Sequence, residues 1–185
     1  MKTRLRAFFV IATTIAGNSA WAIAGGGNHL INPNFDSDLA GWLESSSQAT
    51  WTSTQDHHAA GSMGVGAASV SAPSSSQFIT QCVHVDGSSR YFATVWAKSQ
   101  CGHAAELDLF WGDADCNISL DETVASTSHA NVWQQLIVTA TAPSTRDPTA
   151  VVVLHNTGEC HDVAFFDDAF LTEDAVFRNG FEEGK

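Results

Sequence analysis

Short apolar runs rich in Val, Thr, Phe and Trp recur along this chain, and they are broken by Gly, Ser, Asn and Asp. Runs bounded by such turn-forming residues are typical of β-strands, and almost no segment has the spacing of an amphipathic helix. The predicted strands cover approximately 48–54, 64–71, 77–85, 90–98, 105–112, 132–141, 149–156 and 162–172. Because no helices lie between the strands, we expect an all-β sandwich or barrel with antiparallel pairing.

Two further segments lie near the ends of the predicted domain. Residues 28–42, NHLINPNFDSDLAGW, contain an apolar first strand, an Asn/Pro turn and an acidic residue, while residues 163–170, VAFFDDAF, form an apolar strand with two adjacent aspartates. Paired segments of this kind favour one β-sandwich whose first and last strands meet. We therefore expect Phe35 and Phe166 to lie close together in space.

Alternation is clearest in the strands predicted at 90–98 and 105–112. Neighbouring residues of a strand point to opposite faces, so the apolar set of each strand should face the core. The predicted inward residues are Tyr91, Ala93, Val95, Ala97, Leu107, Leu109 and Trp111, and the outward residues are Phe92, Thr94, Trp96, Lys98, Glu106, Asp108 and Phe110. If the two strands form a hairpin, Trp96 lies beside the outward residues of the second strand.

An outward tryptophan among carboxylates and hydroxyls is suited to binding sugar, because the ring stacks on the sugar while polar neighbours bond to its hydroxyls. The predicted ligand-binding residues are Trp96, Phe110, Asp108, Glu106 and Thr94. The alternative is that a loop or a subunit covers this face. Trp42, Trp111 and Trp133 are predicted to be core residues, and the pattern leaves the facing of Trp51 open.

The N-terminal 22 residues have the pattern of a secretory signal, with basic residues, an apolar run at 7–16 and Ala20-Trp21-Ala22 before the cleavage site. This run is shorter than the roughly 20 residues that span a bilayer. We therefore expect a protein that is secreted, periplasmic or at the cell surface, without membrane insertion. Residues 23–29 are predicted to be a flexible lead-in, 30–172 the β-sandwich and 173–185 an acidic tail, which we hypothesise could engage a cell-surface partner.

The chain is strongly acidic, with 20 Asp and Glu against 8 Lys and Arg. Removal of the signal takes away three basic residues and no acidic ones, so the formal charge changes from −12 to −15. Nucleic acid is excluded as a partner because phosphate binding depends on Lys and Arg. Neutral glycans and cations are compatible with this charge, as is a purely solubilising role.

All four cysteines follow the predicted signal, and an even number in an exported chain indicates two disulfides. Zinc is the alternative, but no two cysteines have the C-x-x-C spacing of a zinc knuckle. Spacing does not choose among the three possible connectivities. We favour Cys82–Cys116 with Cys101–Cys160.

Catalytic and metal-binding alternatives have little support in the sequence. Asp56-His57-His58 could bind zinc or copper, but adjacent histidines point apart on a strand and no third ligand is selected by spacing. Glu106 and Asp108 lie side by side, whereas a glycosidase needs carboxylates opposed across a cleft. No G-x-S-x-G nucleophile elbow is present, so we expect that the protein is not an enzyme.

In their order along the chain, several segments resemble the galactose-binding-like jelly rolls of the family 4/9 type carbohydrate-binding modules. The segments are 28–42, 60–63, 81–85, 90–98, 133–136, 141–143 and 165–168. The resemblance covers about 30–172 and implies a two-sheet antiparallel jelly roll that binds glycan. It also implies a structural calcium ion, with Asp36 and Asp167 at the positions that match the family's ligands, although Asp36 stands where the family usually has Glu. Asp168 is expected to point to the opposite face.

The sequence thus favours an exported, non-catalytic β-sandwich that binds a glycan or polysaccharide on an aromatic-bearing sheet face and is stabilised by calcium. The alternative from a different class is a structural or adhesive cell-surface domain with the same fold and no sugar site.

Overall fold

The computed structural model of the chain describes residues 27–58, 66–73, 75–158 and 161–174. Within these ranges it contains ten β-strands and no helix, so no helix there could cross a membrane. The strands are β1 Leu43–Glu44, β2 Ala49–Thr52, β3 Ala67–Ser71, β4 Gln77–His84, β5 Arg90–Ser99, β6 Ala105–Gly112, β7 Ile118–Ser126, β8 Gln134–Thr141, β9 Thr149–Asn156 and β10 Val163–Glu173.

The strands form two five-stranded antiparallel sheets, which confirms the predicted sandwich. Sheet I has the order β1-β4-β9-β6-β7, and sheet II has the order β2-β3-β10-β5-β8. The eight strands predicted from the apolar runs correspond to β2–β6 and β8–β10. The prediction missed β1 and β7. The sequence of β7, ISLDETVAS, mixes acidic and apolar residues, because this strand is at the edge of sheet I and side chains such as Glu122 and Ser126 are exposed.

The segment predicted as an apolar first strand is not a strand, although it occupies the expected place beside the last one. The His29 amide donates to the Leu171 carbonyl at 2.8 Å, and the Ala169 amide donates to the Pro33 carbonyl at 2.8 Å. Positive φ angles of 47° at Asn32 and 49° at Phe35 prevent this segment from continuing as an extended ladder.

The core lies between the sheets and includes residues from the first and the last segments that the structure describes. Phe35 and Phe166 are fully buried in the same apolar cluster, which confirms that the two terminal segments meet. The inward set predicted for β5, and the inward set predicted for β6, are also in this cluster. The period-two alternation therefore placed these strands correctly with respect to the core.

The predicted hairpin between β5 and β6 is wrong. In sheet II β5 pairs with β8 and β10, whereas in sheet I β6 pairs with β7 and β9. The connection at 100–104 takes the chain from one layer to the other, with a positive φ of 73° at His103. Trp96 and Thr94 therefore face outward on sheet II, while Glu106, Asp108 and Phe110 face outward on sheet I. The five predicted ligand-binding residues are on opposite sides of the sandwich.

The predicted Cys82–Cys116 disulfide is confirmed, with a Cα–Cα distance of 6.2 Å. It joins β4 to the turn between β6 and β7. Cys101 is also disulfide-bonded, and its predicted partner Cys160 lies outside the described residues. The predicted signal at 1–22 and the tail beyond residue 174 lie outside them as well.

Candidate functional site

The outer face of sheet I has an apolar floor with half-buried rings on either side. Val151 and Val153 of the central strand β9 are only 4% and 7% exposed, although they point away from the core. The outward residues that form this surface, which we name face I, are Phe78, Thr80, Glu106, Asp108, Phe110, Val124, Val151, Val153 and His155.

Strand register places the two phenylalanines of face I diagonally across it. Phe78 is paired with His155, and Phe110 is paired with Val151, four residues earlier on β9. Since β4 and β6 flank β9, the Cα atoms of the two phenylalanines are roughly 16 Å apart from standard strand spacing. Two half-exposed rings at this separation, with an apolar floor between them, form an elongated surface rather than a small pocket.

A charged group lies beside this floor. His155 Nδ1 is 3.4 Å from Glu106 Oε2 and 3.5 Å from Asp108 Oδ2. Burial of the imidazole opposes its charge, but the hydrogen bonds and negative charges of Asp108 and Glu106 outweigh burial and raise the pKa of His155 to about 9. At neutral pH, face I therefore presents an imidazolium between two carboxylates. Sequence reasoning missed His155, although its alternation with Val151 and Val153 would have placed it outward once β9 was paired with β6.

We expect the protein to lose stability as the pH rises from about 6.5 to about 9, because of His155. The folded state holds a proton on this imidazole up to about pH 9, whereas the unfolded chain releases it near 6.5. The stabilisation by protonated His155 is therefore complete below about pH 6.5 and is lost as the pH rises to about 9. The charged groups that face His155 are Glu106 and Asp108 on β6, while Phe78 on β4 contacts it edge-on.

Urea unfolding at intervals across this pH range measures the effect. His155→Gln should remove the part of the pH dependence that lies between the two pKa values, since glutamine does not titrate. An identical decline in the wild type and the variant would show that other groups cause it.

One end of face I is bounded by the turn at 113–117. Cys116 is tied to β4 by the disulfide, and Thr149 Oγ1 donates to the Asp113 carbonyl at 2.9 Å. Within the turn, the Asn117 side chain donates to both carboxylate oxygens of Asp113, and these bonds lower the pKa of Asp113. Because Cys82, Val151 and Phe110 form one row across the sheet, the turn is held beside Phe110.

The outer face of sheet II is different, because a loop covers its tryptophan. The His57 ring stacks on the Trp96 ring with a centroid distance of 4.5 Å and an interplanar angle of 10°. Trp133 lies edge-on to His57 at 6.3 Å, and the Lys98 ammonium lies 5.1 Å from the Trp133 ring. The Trp96 ring therefore already has an aromatic partner, as the alternative interpretation of this surface expected.

The other tryptophans divide as follows. Trp42 and Trp111 are in the core, as predicted. The prediction for Trp133 is wrong: it is half-buried on the outer side of sheet II, because it precedes β8 and the alternation of that strand does not place it. Trp51 packs partly against the core, and its indole N–H donates to the Phe35 carbonyl at 2.6 Å.

The expectation that Asp168 points to the opposite face from Asp167 is also wrong. A β-bulge in β10 places Asp168 and Ala169 opposite a single residue of β5, and Asp168 adopts a φ of 46°. The bulge keeps the Asp168 carboxylate out of the core and brings it to His57, 2.7 Å from Nδ1. Asp167 is also near, since its Oδ2 accepts from the His57 amide at 3.1 Å.

The two aspartates are in an unfavourable electrostatic environment. Burial and the charge of Asp168 raise the pKa of Asp167 to about 7, despite hydrogen bonds from the His57 and Asp168 amides. Burial also raises the pKa of Asp168, although His57 and His58 counteract it, and burial lowers the pKa of His57. A group of carboxylates in this state is stabilised by a bound cation.

The donor atoms around Asp167 differ from the set that the resemblance implied. Asp56, His57, His58 and Asp167 each offer one ligand atom, and these atoms lie within 4.8 Å of one another. Asp36 is exposed and is not in this group, although its charge contributes to the raised pKa of Asp168. Calcium is bound by six to eight oxygens, and two of the four donors here are imidazoles. The residues grouped with Asp167 therefore do not fit calcium, and calcium held by Asp36 and Asp167 stays a prediction.

No family model matches the chain, and no curated protein matches it. Its fold is nevertheless shared with solved structures. A structure described as Family 16 Carbohydrate Binding Module-2 has a TM-score of 0.61 at 15% identity, and the match covers 79% of this chain and all of that one. The CBM22-1 xylan-binding domain from Paenibacillus barcinonensis Xyn10C has a TM-score of 0.59 at 12% identity, covering 82% of this chain and 97% of that one. TmCBM61 in complex with β-1,4-galactotriose has a TM-score of 0.53 at 15% identity, covering 80% and 99%.

The fold is therefore the β-sandwich of carbohydrate-binding modules, which confirms the fold that the sequence resemblance implied. The same β-sandwich also occurs within larger proteins. The enzymatically active domain of a bacteriophage CBA120 tailspike protein matches with a TM-score of 0.62, but this chain covers only 21% of it.

Proposed function

We propose that this protein is an exported, non-catalytic carbohydrate-binding module whose sugar site is face I. The observation that carries the proposal is that Glu106, Asp108 and Phe110 are together on one outer face. There they flank an apolar floor, opposite a second half-buried ring, Phe78. Aromatic rings stack on the apolar faces of sugar rings, while charged groups bond to their hydroxyls. The separation of the two phenylalanines suits an oligosaccharide or polysaccharide.

Face I supports this function better than the outer face of sheet II. The Trp96 ring is stacked on His57, so a sugar would first have to displace the loop that carries this histidine. Phe110 has no ring stacked on it among the described residues. Thr94 and Trp96 are accordingly assigned to a second surface and not to the sugar site.

Three observations support the remaining parts of the proposal. A disulfide is typical of an oxidising, extracytoplasmic compartment. Glu106 and Asp108 are two residues apart on one strand and share His155, which is unlike the opposed carboxylates of a glycosidase. The raised pKa of Asp167 and the ligand atoms grouped with it support a structural cation beside β10.

Phe110→Ala is expected to weaken glycan binding by about 5- to 150-fold, because loss of one stacked ring costs about 1–3 kcal/mol. The measurement is a glycan array followed by affinity electrophoresis or pull-down with insoluble polysaccharides. Phe92→Ala is the matched control, since Phe92 is a half-buried outward phenylalanine on β5 of the opposite sheet. Circular dichroism and unfolding midpoints confirm that both variants fold.

Trp96→Ala tests the alternative location in the same assay. Unchanged binding in this variant supports face I, whereas loss of binding in Trp96→Ala with retention in Phe110→Ala would assign the site to sheet II. If the wild type binds none of the glycans or polysaccharides, the proposed function is wrong and a structural or adhesive role is favoured.

A further inference from the structure

The group formed by Asp56, His57, His58 and Asp167, which we name the histidine–aspartate cluster, is separate from face I. It joins the loop after β2 to the bulge of β10 on the outer side of sheet II. The loop is attached to this side at two further points, since the Lys98 ammonium bonds to the Gln55 side chain and the His57 ring stacks on Trp96. The positions of the donor atoms are therefore fixed by several contacts.

Adjacent histidines point apart on a strand, which counts against a shared metal ion at His57 and His58. His57 and His58 are not in a strand but in a bend, and their ring centroids are only 4.0 Å apart. The two imidazoles contact the same carboxylate, because Asp168 Oδ2 is 2.7 Å from His57 Nδ1 and 3.3 Å from His58 Nε2. The third and fourth ligands come from Asp56 and from β10.

Three of the four side chains of the cluster are largely buried, whereas that of His58 is 50% exposed. The side chains of Asp56 and Asp167 are 9% and 3% exposed, and that of His57 is 14% exposed. Asp56 Oδ2 is inaccessible to solvent and has no hydrogen-bond partner within the described residues. Buried carboxylates and imidazoles are normally paired or bind a metal. Within the described ranges, the ion pairs of Asp167 and Asp168 are made with histidines only.

We infer that the histidine–aspartate cluster binds one divalent transition-metal ion of the zinc class. Neutral imidazole suits zinc, copper and nickel, and two imidazoles with two carboxylates complete a tetrahedral set. In such a set, ligand atoms about 2.1 Å from the metal are about 3.4 Å from each other. His57 Nδ1 is 3.5 Å from Asp167 Oδ2, and His58 Nδ1 is 3.3 Å from Asp56 Oδ1. Asp168 Oδ2 contacts Nε2 of His58, the ring nitrogen that does not face the ion in this set, and so orients that imidazole.

Zinc is a softer cation than the calcium ion that the sequence resemblance implies at Asp167. The bound ion would link the loop after β2 to β10 and so hold His57 against Trp96. It is independent of the proposed sugar site, because face I is on the opposite sheet.

The test uses the full-length protein, purified without a histidine tag and stripped of metal with a chelator. Isothermal titration with zinc chloride is expected to show one ion per chain, and zinc is expected to raise the unfolding midpoint. Calcium chloride in large excess is expected to do neither and to leave zinc bound. Calcium binding with no response to zinc would overturn the inference.

The variant His57→Asn/His58→Asn is expected to weaken zinc binding at least about 100-fold, since both nitrogen ligands are lost. The matched control is His84→Asn/His103→Asn, because both histidines are exposed and outside the cluster. Glu106→Gln tests the other group of possible ligands, formed by Glu106, Asp108 and His155. Loss of zinc binding in Glu106→Gln but not in the His57/His58 variant would place the site on face I and refute the inference.

Cobalt(II) gives a readout on the wild type that does not depend on how the variants fold. A tetrahedral site with imidazole ligands gives intense visible absorption, which zinc should abolish by displacement. A spectrum identical to that of aqueous cobalt would contradict the inference.

Discussion

Replacement of Phe166 by alanine is expected to lower the free energy of unfolding by about 3–5 kcal/mol. Phe166 is fully buried on β10, which lies between β3 and β5 in sheet II. It belongs to the same core cluster as Phe35, so its ring fills the place where segments 28–42 and 163–170 meet. Truncation removes most of that contact and leaves a cavity that two hydrogen-bonded sheets cannot easily close.

Phe165→Ala is the matched control, because the adjacent phenylalanine points outward and is half-buried. Its removal is expected to cost only about 1 kcal/mol, since the ring is partly in water in the folded state. Chemical unfolding of both variants, with equal denaturant dependence, measures the difference. Equal losses of unfolding free energy at Phe165 and Phe166 would mean that neighbouring residues of β10 do not alternate between core and surface.

The alternation of apolar residues was sufficient to predict most strands and which side of each strand is buried. In β5, for example, Tyr91, Ala93, Val95 and Ala97 all face the core, as their spacing predicts. Period-two patterns carry this information because neighbouring side chains in a strand point to opposite faces. Short edge strands lack it, since Leu43–Glu44 is only two residues long.

Strand pairing could not be predicted in the same way, because alternation does not specify which strands are neighbours. Consecutive strands usually pair, and this general tendency suggested a hairpin of β5 with β6. Instead the chain changes sheets between them, and Trp96 and Phe110 lie on opposite sides of the sandwich. The prediction that these residues share one face is wrong, whereas the prediction that they point outward is correct.

Irregular backbone accounts for the rest of the difference at the candidate sites. The bulge at Asp168 reverses the facing expected from strict alternation, and the bend at His57 brings two adjacent histidines together. Neither feature has an obvious sequence signature, although Asp is among the residues that adopt positive φ most readily. The same irregularities create the histidine–aspartate cluster and cover Trp96. Face I as a surface is therefore defined by strand pairing and backbone irregularity, which the sequence pattern does not specify.

Replacement of both Cys82 and Cys116 by alanine is expected to lower the free energy of unfolding by about 3–4 kcal/mol. The two residues are 34 positions apart, and opening a loop of this length restores that much conformational entropy to the unfolded chain. The denaturant dependence should also rise, since an unfolded chain without this link exposes more surface. Chemical unfolding of the double variant beside the wild type measures both quantities. Because Cys116 holds the turn at 113–117 beside Phe110, we also expect the folded double variant to bind glycan more weakly. An unfolding midpoint equal to that of the wild type would show that the turn is held without the disulfide.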